Sequence, residues 1–175
     1  MRTPTTRLAT VLAIFLAGAL FPNAAQAQLQ KVQQTVFGMD CAPCAHAMER
    51  GLGSMKGVES VSVSLNDGIA SIDLTEGNTT TYRKLREAVA NGGFSARKAT
   101  LTVQGTVRQT GDHWILKTPA GEQFVLKANE EASSTRGSLG GFEADQQVTL
   151  TGQVSVSEPK EGRWPVQVQN IRSAG

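Results

Sequence analysis

From Lys31 to Phe37 the chain alternates, with Val32, Gln34 and Val36 on one side and Gln33, Thr35 and Phe37 on the other, the period of a strand. Gly38 ends it. After Pro43 the period lengthens: Ala45, Met48, Leu52 and Met55 recur at three- and four-residue intervals, which predicts a helix with one buried stripe. Gly51 and Gly53 cost about 1 kcal/mol each in a helix interior, so its second half is expected to be frail or to end early, with Gly57 as a later stop. Val58 to Leu65 alternates again, Val61, Val63 and Leu65 against Ser60, Ser62 and Ser64. Asn66-Asp67-Gly68 is a turn, and Ile69 to Leu74 returns with Ala70, Ile72 and Leu74 in phase, a hairpin with one wet face. Asn78 and Thr79 to Thr81 offer capping side chains to a second helix, striped by Tyr82, Leu85 and Val89 and stopped by Asn91-Gly92-Gly93. Phe94 to Leu101 predicts a fourth strand.

The rest of the chain has a strand-only texture. Leu101 to Val107 and Val148 to Val154 are two strands, each with a central glycine where a bulge or bend fits. Trp114 to Lys117 and Gln123 to Leu126 flank Pro119-Ala120-Gly121 as a hairpin, Trp164 to Ile171 alternates as a last strand, and Glu130 to Gly141 reads as a loop or short helix. The expected fold class is therefore α+β. A ferredoxin-like βαββαβ domain over 28–100 precedes a small all-β barrel, OB-like or SH3-like, over 101–175.

Composition changes this picture at the front of the chain. Arg2 and Arg7, the apolar run Leu8 to Phe21 and the small-x-small triplet Ala25-Gln26-Ala27 predict an export signal over 1–27. The apolar run is shorter than a spanning helix and stops at Pro22, so a membrane anchor is the weaker reading. A periplasmic or secreted chain, not embedded in a membrane after cleavage, is expected. Of 17 Lys and Arg, 15 remain after Arg2 and Arg7 are removed, against 15 Asp and Glu. That balance argues against a nucleic-acid partner, which needs a concentrated positive field. With few aromatic residues, both domains are expected to have thin cores.

The candidate chemistry lies in Gly38-Met39-Asp40-Cys41-Ala42-Pro43-Cys44-Ala45, which holds the only 2 cysteines of the chain. Thiols three positions apart where a strand yields to a helix can grip one soft cation, with free amides and the helix dipole favouring thiolate. A structural disulfide is the bland alternative for an exported chain, but a bridge across so short a loop removes little unfolded-chain entropy. Two thiolates without a histidine or carboxylate cage suit Cu(I) or Hg(II) better than Zn(II), which wants four ligands. His46 points about 200° round the helix from Cys44 and is expected to face solvent. His113 and Trp114 follow a turn and read as hairpin residues.

Residues 31 to 98 resemble a heavy-metal-associated domain, the module of copper chaperones, of the N-terminal arms of metal-transporting ATPases and of periplasmic mercury-binding proteins. The matching residues are Gly38 to Ala45, then Gly57-Val58-Glu59-Ser60-Val61-Ser62-Val63, then Gly92-Gly93-Phe94. The resemblance implies a carrier and not an enzyme, binding one soft ion at Cys41 and Cys44 and passing it to a metal-transporting membrane protein, an ATPase or permease. It implies that Met39 packs under the loop and that Phe94 lies beside the metal and shields it. Asp40 is either a solvated loop acid or a harder third ligand that tilts the site toward Zn(II) or Cd(II), as similar Asp-Cys sequences do in some zinc-exporting members. Two rivals stand beside this. Cys-Ala-Pro-Cys is close to the motif of thiol-disulfide oxidoreductases, although Met39-Asp40 precedes it and no proline follows between Pro43 and Pro119. The barrel can instead make the chain a non-catalytic partner-binding module.

Overall fold

The computed structural model describes residues 28–128, 141–156 and 159–174. The export signal expected over 1–27 and all but the last residue of the Glu130–Gly141 stretch lie outside the described residues. Strand β1 (Leu29–Phe37) is followed by α1 (Ala42–Gly53), β2 (Val58–Ser64), β3 (Ile69–Leu74), α2 (Tyr82–Asn91) and β4 (Ser95–Thr110). These strands pair antiparallel in the order β2-β3-β1-β4. The predicted stripes are buried, Ala45, Met48 and Leu52 on α1 and Tyr82, Leu85 and Val89 on α2 meeting Val32, Val36, Ala70, Ile72 and Leu101 from the sheet, except that Met55 lies past the end of α1 and is half-buried. Full burial of a Leu, Val or Ile side chain contributes about 1.5–3 kcal/mol over leaving it exposed, so this stripe-on-sheet contact fixes the helix positions.

Three details depart from the sequence pattern. Helix α1 runs through Gly51 and stops at Gly53, where Ser54 caps it with its amide donating to the Arg50 carbonyl at 3.0 Å. A Cβ on either glycine would meet nothing within 4 Å, so packing does not require them. Leu65, in phase with the core residues of its strand, lies past the end of β2 and is 39% exposed. Gln34, by contrast, shares the core face of β1 and is buried.

Its burial has a local cause. Between Gln34 and Val36 the register against β4 slips from Ala99 to Ala96, leaving an extra residue on β4. The Gln34 amide nitrogen donates to the carbonyls of Arg97 (3.0 Å) and Lys98 (3.2 Å) at that slip and to Thr35 (2.8 Å), while its oxygen accepts from the Tyr82 hydroxyl at 3.0 Å. One side chain thus satisfies the groups that the irregular ladder leaves over.

The fourth strand is where the two halves meet. The predicted strands Phe94–Leu101 and Leu101–Val107 are one strand of 16 residues, roughly 50 Å from end to end. It pairs with β1 along its first half, with β7 (Gln147–Val154) from Ala99 to Thr106, and with β5 (His113–Lys117) from Thr106 to Thr110. The domain boundary expected at residue 100 falls inside it. Beyond, β5 pairs with β6 (Gln123–Ala128), β6 with β8 (Arg163–Ser173) in parallel, and β8 with β7. Five strands therefore pair in a cycle, β4-β5-β6-β8-β7 and back to β4. The two glycines sit where strands cross closely: a Cβ on Gly105 would lie 2.5 Å from Leu116 Cδ2, and one on Gly152 would lie 2.5 Å from Val166 Cγ1 and 2.7 Å from the Gln167 carbonyl oxygen. The bulge expected near Gly152 is present as a register slip after Thr151. In place of two thin cores, one continuous buried cluster runs from Leu29 to Val168.

The tip of the β5–β6 hairpin docks onto α2. Glu122 accepts from the backbone amides of Tyr82 (2.7 Å) and Arg83 (3.1 Å) at the helix N-terminus, and from the Trp164 indole at 2.9 Å. The Tyr82 and Trp164 rings meet edge to face at 5.0 Å, with the Arg83 and Arg86 guanidinium groups over the indole at 5.7 and 5.2 Å. Burial pushes the Glu122 carboxyl up from its ordinary value of 4.5, against the opposing effect of its hydrogen bonds and of Arg83.

Candidate metal centre

The site is a strand end joined to a helix start. Gly38 leaves β1 at φ +89°, a conformation open to glycine, and this turns the chain back over the core. Met39 follows, 3% exposed and part of the buried cluster, so its thioether is packing and not a ligand. Asp40 and Cys41 then return to the surface and Cys44 is half-buried. Cys41 is the N-cap of α1, in extended conformation, and its Sγ accepts from the Cys44 amide at 3.2 Å. Its carbonyl accepts from the amides of Cys44 and Ala45 at 3.0 and 3.1 Å. Pro43 occupies the first turn, where a missing N–H costs no intrahelical bond. The first turn carries no acidic residue; the adjacent carboxylate is that of Asp40, directly before the cap.

Cys41 and Cys44 are joined as a disulfide. The entropy argument against a structural bridge concerns how much it stabilises the fold, not whether two thiols held at a helix N-cap can close. As a disulfide the pair cannot ligate a cation; the thiolates exist only after reduction.

Among the described residues no group of three His, Cys, Asp or Glu side chains gathers anywhere, so Asp40 is not drawn in with the two sulfurs. His46 faces solvent as expected, its Nδ1 3.3 Å from Glu49 Oε2, while Glu49 Oε1 accepts from the Val63 amide at 3.1 Å and ties α1 to the edge strand. Phe94 is half-buried; it lines a small gap between the helices with Met48, Gly51, Leu52, Val89 and Gly92. His113 is exposed at the start of β5.

The residue that sequence reasoning passed over is Phe37. Its ring is 66% exposed, two positions before Met39, with the Arg97 guanidinium 5.1 Å from its centroid. The signal was in the chain: an aromatic on the solvent phase of β1, next to the loop.

A family model for the heavy-metal-associated domain matches residues 34–95. The copper chaperone CopZ of Staphylococcus saprophyticus is 31% identical over 62 residues, a match that spans 90% of that protein and 35% of this chain. The chain belongs to the heavy-metal-associated domain family. Human copper-transporting ATPase 2 is 36% identical over 61 residues, but those are 4% of its own length and 35% of this chain. Among solved structures, oxidized MerP from Ralstonia metallidurans aligns with 26% identity and a TM-score of 0.36, covering 39% of this chain and 93% of that one. Residues 34–95 are thus a metallochaperone-like domain, and the five-strand cycle lies beyond the matched segment.

Proposed function

We propose that this is an exported carrier of one soft metal ion, Cu(I) before Hg(II), held between Cys41 and Cys44 and handed to a metal-transporting membrane protein. The observation that carries the reading is the position of the pair: both sulfurs on an exposed N-cap and first turn, above a buried methionine, with a backbone amide aimed at Cys41 Sγ. The family and the name of the matched copper chaperone support copper. A set of two sulfurs supports a thiophilic ion of low coordination over Zn(II) or Cd(II).

Loading requires two electrons and two protons from a dithiol donor, which is oxidised as Cys41–Cys44 opens. The cation then displaces the thiol protons. In transfer, a thiolate of the receiver bonds to the ion, one carrier sulfur departs and takes up a proton, and the second follows, so the ion is never free. The residues 1–27 support delivery across a membrane, and the cyclic strand order with its parallel β6–β8 closure supports an OB-like barrel for the second half. The test is anaerobic titration of the reduced chain with Cu(I), Hg(II) and Zn(II) in competition. One equivalent of Cu(I) or Hg(II) per chain is expected; stoichiometric binding retained after Cys41→Ser with Cys44→Ser would overturn the reading.

One observation favours a second reading. The closed disulfide, exposed at Cys41, is also the oxidised state of a thiol-disulfide oxidoreductase. Insulin reduction at rates typical of such enzymes, with no metal bound by the reduced chain, would establish it instead.

A further inference from the structure

We propose that the outer face of the five-strand cycle holds a second site, independent of the metal centre, for a small acidic saccharide: a sugar bearing a carboxylate or a phosphate. An open cavity of about 500 Å³, within the range of small-molecule sites, lies across β6, β8 and β7. Strand alternation builds it. Phe124, Leu126, Trp164, Val166 and Val154 point inward and are buried, so their neighbours must face out.

The register then lays those outward side chains in rows. Lys127 pairs with Gln167, which pairs in turn with Gln153, giving a cation and two amides across three strands. Val125 pairs with Pro165 in the next row, an apolar floor. Gln123 pairs with Arg163 beyond that, and its Oε1 accepts from Arg163 Nε at 3.2 Å, which fixes the guanidinium. Lys160 stands beside Arg163 in the turn before β8, and His113 and Ser155 complete the rim.

An apolar floor between cations, with primary amides along one edge, is the complement of a pyranose. The C–H face of a sugar covers Val125 and Pro165, its hydroxyls meet Gln153 and Gln167, and its acid meets a lysine or the guanidinium. Among the described residues of the lining the one acidic side chain, Glu161, is 85% exposed and 3.8 Å from Arg163, too loosely held to quench it. Neither Lys127 nor Lys160 has a carboxylate partner among the described residues. Metal is a poor fit, since no cluster of ligating side chains lies there among the described residues. A long polyanion is a poor fit too: with 15 basic and 15 acidic residues after Arg2 and Arg7 are set aside, the positive charge is local to the cavity.

The experiment is calorimetric titration of the full chain with glucuronate, glucose 1-phosphate, glucose and inorganic phosphate at low salt. At least one of the two charged sugars should bind one per chain, with glucose and phosphate each at least about tenfold weaker. Lys127→Glu and Lys160→Glu, both exposed, should leave the circular dichroism unchanged and weaken the charged sugar at least about tenfold. Which of the two sugars prevails identifies the acid. Absence of heat from both at about 10 mM, equal binding by glucose or by phosphate alone, or indifference to both lysine variants would each overturn the site. The titration gives the same answer with Cys41→Ser and Cys44→Ser, so its failure leaves the metal reading untouched.

Discussion

The metal loop and the junction around Trp164 are built on opposite terms. In the loop, eight consecutive residues supply both sulfurs, the cap and the buried anchor, and the side chains that carry chemistry face water. At the junction Glu122, Tyr82, Arg86 and Trp164 come from three separate stretches, and every contact crosses about forty or more positions of chain. Apart from the buried Met39, the loop gives up burial for access, so its residues are expected to matter to binding and little to stability. The junction does the reverse.

The largest effect expected from this contrast is on binding. Cys41→Ser or Cys44→Ser should lower Cu(I) affinity of the reduced chain by roughly three orders of magnitude or more, with unfolding free energy changed by less than about 0.5 kcal/mol, read by chelator competition and urea melts. Next comes the mirror experiment. Trp164→Ala removes a fully buried ring and its contacts with Tyr82 and Glu122, and should destabilise the chain by about 3–5 kcal/mol while the folded fraction binds metal normally. A matching loss of metal affinity in that variant would erase the contrast.

Gln34→Leu should cost about 1–3 kcal/mol, because it strands the carbonyls at the β1–β4 slip and the Tyr82 hydroxyl, and urea melts with hydrogen exchange at Arg97 and Lys98 would show it. Gly51→Ala should act the other way, raising stability by about 0.5–1 kcal/mol in thermal melts, since the added methyl meets no neighbour.

The smallest effect is that of pH at Glu122. Its folded pKa lies above the ordinary 4.5, so the folded chain holds this proton more tightly than the unfolded chain does. The stability it contributes is full below pH 4.5 and is lost as pH rises through the folded value. Urea midpoints should therefore carry a downward component above pH 4.5, which Glu122→Gln removes. An unchanged slope in that variant would mean the carboxyl is not desolvated at the junction.

The legibility of the chain follows the same division. Period alone placed both helix stripes and the phases of β1 and β3, and contiguity made the sulfur pair readable at sight. Period cannot say which strands pair, so the sequence divides β4 into two strands and cuts through its residues 99 to 103, which pair with β1 on one side and β7 on the other. Gln34 lay on the core phase, but a glutamine there has no meaning until the slip that it fills is known. Glu122 gave no signal at all, because two of its partners are backbone amides, which every residue has, and the third, the Trp164 indole, lies 42 positions away. Phe94 lines a gap between the two helices, a matter of side-chain direction that spacing does not fix.

A strand common to both halves also governs how the cysteines travel. A metal-binding unit on a loose tether searches for its receiver by swinging, at a local concentration set by the tether. Here β4 splices the loop-bearing half to the rest without slack, so in the proposed carrier delivery would be a matter of whole-body tumbling, with the bulk of the five-strand cycle present in every encounter. The receiver of such a carrier would have to leave room for that bulk, and the second half would then act as a steric filter on where the ion goes.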